Sequence, residues 1–66
     1  MDDYFIVKSL HEAAKWGNID KIRTLLNNNP SLKQRIDSPD DNGWTALMFA
    51  AKNNHADVIQ YLLDKG

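Results

Sequence analysis

An all-α fold, two stacked helix-turn-helix repeats joined by a turn-rich loop, is the architecture this sequence predicts. Three observations predict it. Residues 10–29 and 47–66 align at an offset of 37, with eight of twenty positions identical: Leu10/Leu47, Ala13/Ala50, Ala14/Ala51, Lys15/Lys52, Asp20/Asp57, Ile22/Ile59, Leu25/Leu62 and Leu26/Leu63. A fixed internal period of this size is the signature of a repeat architecture. Within each copy the apolar residues recur at helical spacing, and no segment alternates convincingly as a central strand. Between the copies runs Ser38-Pro39-Asp40-Asp41-Asn42-Gly43, dense in turn formers.

The elements follow in order. Ile6, Leu10, Ala13 and Ala14 share one face of a first helix, which Asp3 is placed to cap and Gly17 to end. Asn18 can cap a second helix carrying Ile19, Ile22, Leu25 and Leu26. Asn29-Pro30 stops that helix, because proline disfavours helical backbone in the residue before it. Residues 31–35 add one short helical turn. Asn42-Gly43 marks a tight turn, since both residues tolerate positive φ. Thr45 precedes a third helix through Leu47, Ala50 and Ala51, and Asn53-Asn54 breaks it. His55 starts the last helix, lined by Val58, Ile59, Leu62 and Leu63, with Gly66 at its C-terminal cap. Residues 1–66 thus read as a single domain, with repeat 1 over about 4–29, a connecting loop over 30–44 and repeat 2 over about 45–66.

Composition narrows the function classes. At 66 residues and 7.5 kDa the chain is at most one small domain. A domain of this size buries only about 60% of its unfolded surface, so such chains lean on disulfides, a metal or a neighbour. There is no cysteine, which excludes disulfides and thiolate zinc sites. Eight Lys plus Arg against nine Asp plus Glu leave no basic excess to neutralise phosphates, so no nucleic-acid partner is expected. No apolar run approaches the about 18 residues of a membrane span, so no membrane partner is expected either. The start is acidic, and residues 4–7 are too short for a signal-peptide core, which fits a cytoplasmic protein.

Residues 40–51, Asp-Asp-Asn-Gly-Trp-Thr-Ala-Leu-Met-Phe-Ala-Ala, followed by Asp57-Val58-Ile59-Gln60-Tyr61-Leu62-Leu63-Asp64-Lys65-Gly66, resemble an ankyrin repeat. The family pattern is an Asp, a Gly three residues on, Thr-Pro-Leu-His, a double alanine, and a second helix ending Leu-Leu before a Gly. The second copy matches at Asp40, Gly43, Thr45, Leu47, Ala50, Ala51, Leu62, Leu63 and Gly66. It departs at Ala46 for Pro, at Met48 for His, and at Asn54 for the Gly between the helices. The first copy carries Leu10-His11-Glu12-Ala13-Ala14, Gly17 and Leu25-Leu26 but lacks the preceding turn. Lys21 and Thr24 stand where the second copy has Val58 and Tyr61, so the first copy resembles an N-terminal capping repeat with a polar outer side.

The resemblance implies a non-enzymatic solenoid that binds a partner protein through turn tips and the exposed side of its first helices. That surface maps to Lys15 and Trp16 in the first copy and to Asp41, Asn42, Trp44, Lys52 and Asn53 in the second. Exposed tryptophan is a favoured anchor, though each Trp can equally cover the thin core of a small protein. Met48 and Phe49 widen the apolar surface or, more simply for Phe49, pack in the core. His11 occupies the family's Leu-His position, where a histidine hydrogen-bonds a neighbouring turn. Ile59, Tyr61, Leu62 and Leu63 are expected to form a stacking face for a further repeat or a second copy. The chain thus reads as the N-terminal part of a longer array. The alternatives are an assembly unit that self-associates through this uncapped face, and a recognition arm on a larger enzyme.

Other chemistries fail on spacing. His11 and His55 lie far apart with no third ligand, so no metal is expected. With Gly43 at the sixth position of a calcium loop, the first ligand falls on Ser38 and the twelfth on Phe49, so the bidentate Glu is missing. Asn29-Pro30-Ser31 has proline in the middle of a glycosylation triplet. Gly17, Gly43 and Gly66 are too scattered for a phosphate loop, no nucleophile elbow exists, and no catalytic residue or cofactor is expected.

Overall fold

A computed structural model describes residues 3–65 of the chain. Four α-helices follow one another: α1 (Asp3–Trp16), α2 (Ile19–Asn28), α3 (Ala46–Lys52) and α4 (Ala56–Lys65), with a 3-10 helix (Pro30–Arg35) after α2. No strand occurs among the described residues. The caps expected from the Asp3 side chain and from Gly66 lie outside what is described. No described helix is long and apolar enough to cross a membrane.

The two helix pairs end their first helices in the same way. Gly17, at φ +72°, lets its N–H reach Ala14 O (3.2 Å) and that of Asn18 reach Ala13 O (2.8 Å). Asn54, at φ +65°, does the same with N–H bonds from Asn54 to Ala51 O (3.2 Å) and His55 to Ala50 O (2.9 Å). This paired pattern satisfies carbonyls that a helix end otherwise leaves open. Asn18 Oδ1 accepts from Lys21 N–H (3.2 Å) to open α2, and Thr45 Oγ1 accepts from Met48 N–H (3.2 Å) to open α3. α2 stops at Asn29, whose main-chain and side-chain N–H groups both donate to Leu25 O (each 3.0 Å). Pro30 then begins the 3-10 helix, where its missing N–H costs nothing.

One core runs through both pairs: Val7, Leu10, Ala13, Ala14, Ile22, Leu32, Ile36, Ala46, Ala50, Val58 and Leu62. Leu32, from the 3-10 helix, and Ile36, just after it, join the core although residues 31–35 read in sequence only as a short turn. Equivalent residues of the two copies differ in cover. Leu10, Ala14 and Ile22 are each 0% exposed, whereas Leu47 and Ile59 are half-buried and Ala51 is exposed. Leu63 is 58% exposed while its counterpart Leu26 is half-buried. The first copy has the second as neighbour on this side, and no described residue covers the second copy in the same way.

This comparison corrects the expected stacking face. Leu62 does not belong to it: at 4% exposed it packs in the core. Tyr61 turns toward the first copy, with the Arg23 guanidinium of α2 5.8 Å from its ring centroid. Ile59 and Leu47 are half-buried against the core, while Leu63 and Ala51 are exposed. The outer side of α2 is polar as expected, with Lys21 and Thr24 exposed.

Gly17 is doubly constrained, because a Cβ there would lie 2.6 Å from His55 Nδ1. Gly17→Ala should destabilise the chain by about 1–2 kcal/mol from the left-handed backbone alone, and by more as His55 is displaced. Asn54→Gly should be neutral or stabilising, since that position favours glycine. Urea unfolding of the two variants tests this, and equal effects would refute it.

Candidate partner-binding surface

The surface is built on α1, α3 and the loop between the pairs. Three carbonyl-directed contacts hold these together. Lys15 O, at the end of α1, accepts from Asn53 Nδ2 (2.9 Å) and His55 Nε2 (3.1 Å), which ties the second pair to the first. His11 is 5% exposed, and its Nε2 donates to Ser38 O (2.7 Å), fastening the loop to α1. This is the turn contact that the Leu-His position implies.

The loop tip is organised by one side chain. Asp40 Oδ1 accepts from the backbone N–H groups of Asn42 (2.9 Å) and Trp44 (2.8 Å). Asp40 N–H donates to Trp44 O (2.8 Å), and Gly43 N–H, at φ +84°, donates to Asp40 O (3.0 Å). Asp40 therefore closes the tip much as a strand pair closes a hairpin, and it leaves Asp41 and Asn42 exposed. The Trp44 N–H bond, with help from Asn42 and from the nearby His11 ring, holds the Asp40 carboxyl below its usual value of 3.8, while burial opposes the change.

Beside the tip, three rings form a row. Phe49 is half-buried, with its centroid 5.4 Å from the Trp44 ring and 5.8 Å from the His11 ring. Lys52 Nζ sits 5.1 Å from the Trp44 centroid, a cation–π distance. Trp44 is thus half-buried, with one part packed on Phe49 and the rest exposed. Trp16 is 72% exposed and does not cover the core; Lys15 Nζ lies 5.6 Å from its centroid.

An open groove of about 250 Å³ runs between α1 and the tip, with Lys15, Asp41 and Asn42 in its lining. Trp16, Trp44, Lys52 and Asn53 do not line it. Trp44 adjoins it through Phe49, while Asn53 uses its amide to hold Lys15 O. The lining also includes Val7, Lys8, His11 and Glu12 of α1, and Asp40, none of them evident as surface positions from the repeat pattern. Val7 and Lys8 precede the aligned repeat, so no period marks them. Asp40 carried one available signal, an Asp two residues before Asn42 in a turn-forming run. Among the described residues no cluster of His, Asp and Glu is arranged to hold a metal.

A family model for ankyrin repeats (many copies) matches residues 10–63. The chain is 44% identical over 61 residues to the NAD-capped RNA hydrolase NUDT12 of Homo sapiens, covering 92% of this chain and 13% of that protein. It is 37% identical over 57 residues to ankyrin repeat domain-containing protein 40 of Mus musculus, covering 86% and 15%. It is 33% identical over 58 residues to protein phosphatase 1 regulatory subunit 27 of Mus musculus, covering 88% and 35%. The chain therefore spans between 13% and 35% of the length of these relatives. No solved structure matches it at comparable significance.

The Asp40 carboxylate stabilises the tip only while ionised. Because its folded pKa is depressed, that contribution is fully present above the ordinary value of 3.8 and is lost as pH falls through the lower folded value. Asp40→Asn keeps an acceptor oxygen but no titration, so its acid unfolding limb, followed by tryptophan fluorescence, should lose this component. A limb identical to that of the parent chain would refute the assignment.

Proposed function

The chain belongs to the ankyrin repeat family, and on that premise we propose that its two repeats act as one non-catalytic module that binds a partner protein along α1, the loop tip and α3. Ankyrin repeats in general mediate protein–protein interaction. The observation that carries the reading is the Trp44–Phe49 pair with Lys52 above it, at the edge of an open groove. A half-exposed aromatic on a rigid base offers contact area at small entropic cost. Trp16 with Lys15, and Asp41 with Asn42 at the tip, extend the contact to either side; Asn53 contributes its exposed flank. The partner is identified by quantitative affinity capture and then titrated with purified variants. Trp44→Ala should weaken binding about tenfold or more, and Lys52→Ala several-fold. Unchanged affinity in both would overturn the placement.

Two further readings each rest on one observation. The lower cover of Leu47, Ala51, Ile59 and Leu63 than of their counterparts supports stacking through the open side, on a further repeat or a second copy. Light scattering of the isolated chain should then report self-association, and a stable folded monomer at low micromolar concentration would count against the second-copy form. The 44% identity to a region of NAD-capped RNA hydrolase NUDT12 supports a recognition arm on a larger enzyme. The coding sequence around this segment decides that, since the reading requires a catalytic domain in the same frame.

A further inference from the structure

The chemistry of the groove beside the tip narrows the class of partner, and this narrowing rests on the partner-binding function proposed for the module. Ser38 O can only accept, so His11 Nε2 carries the hydrogen in that bond. In the neutral ring Nδ1 is then an acceptor, and it has no partner among the described residues. Every fully buried side-chain nitrogen or oxygen among them is partnered. Nδ1 of this 5% exposed ring is therefore reached from solvent, and His11 lines the groove. Two carboxylates in the lining, Glu12 on α1 and Asp41 on the tip, have neither a hydrogen bond nor an ion pair among the described residues.

The lining thus holds unused acceptors, with Phe49 beside them as an apolar ring. Its ionisable groups besides the His11 ring are three carboxylates, Glu12, Asp40 and Asp41, against the ammonium groups of Lys8 and Lys15, and that of Lys15 is drawn over the Trp16 ring. An anionic group entering here would meet a carboxylate on each wall. A planar cation with several donors suits the lining best. A guanidinium can donate to a carboxylate and to Nδ1 at once while its face lies on an aromatic ring, which a compact ammonium cannot do.

We propose that this groove takes an arginine side chain from an extended segment of the partner, held between Glu12 and Asp41 with Phe49 beneath and His11 Nδ1 accepting one N–H.

The test is an NMR titration of the full chain with acetyl-Ala-Arg-Ala-amide and with the same peptide carrying citrulline, which keeps the planar shape and removes the charge. The arginine peptide should shift the backbone signals of Glu12, Asp41 and Phe49 and the His11 Nδ1 resonance, with a Kd on the order of millimolar. The citrulline peptide should bind several-fold more weakly, a preference about the size of one or two exposed charge pairs. Glu12→Gln combined with Asp41→Asn, both at exposed positions, should abolish that preference, with circular dichroism reporting the fold. No shift in the groove at tens of millimolar peptide, or equal response to the two peptides, overturns the proposal. Either outcome leaves the wider docking surface standing, because that surface is tested by Trp44→Ala and Lys52→Ala with the identified partner.

Discussion

Close approach of α1 and α3 is the condition on which the other contacts depend. The residues between them are small: Ala13, Ala14, Ala46 and Ala50 are each at most 4% exposed. Side chains of this size let two helix backbones come near enough for polar groups on one to reach the carbonyls of the other. Without that spacing, Asn53 and His55 lose Lys15 O, and Phe49 loses its place against His11. A methyl group at Ala14 or Ala50 thus does more than fill volume. It sets the distance at which the surface contacts are made.

Both histidines of the chain are occupied in this frame. His11 holds a loop carbonyl and His55 a helix-end carbonyl, each with Nε2. Each bond joins a helix to a segment outside the helices and satisfies a carbonyl outside the regular pairing, which is where an unmet polar group costs most. His55 also explains the asymmetry between Gly17 and Asn54. The ring lies over the first position and leaves no room for a side chain, while the equivalent position in the second pair carries one.

The helices and their ends were largely readable from residue order. Asn18, Thr45, Gly17 and the Asn53-Asn54 break act through local geometry, so their meaning travels with the sequence. The residues that were misread depend on what lies across from them. Periodicity groups Ile59, Leu62 and Leu63 on one side of a helix, but it does not say which of them meets the core and which the open side. Leu32 and Ile36 enter the core from a stretch too short to have a period. The groove was missed for the same reason: its walls come from an extension of α1 and a loop whose juxtaposition rests on a bond from His11 to Ser38, 27 residues apart. Of the seven expected surface residues, both tryptophans were open between exposure and core cover in sequence, and the divided packing of Trp44 required knowing where Phe49 sits.

The tip between Asp40 and Trp44 is closed through Asp40 alone, whose carboxylate accepts two backbone N–H groups and whose main chain bonds Trp44 O and Gly43 N–H. Its shape therefore depends on one residue, and the side chains of Asp41 and Asn42 take no part in the bonds that close it. Exchanges at those two positions are nearly silent to folding yet alter what the molecule presents. What the tip displays at these two positions is thereby uncoupled from what holds the tip in shape.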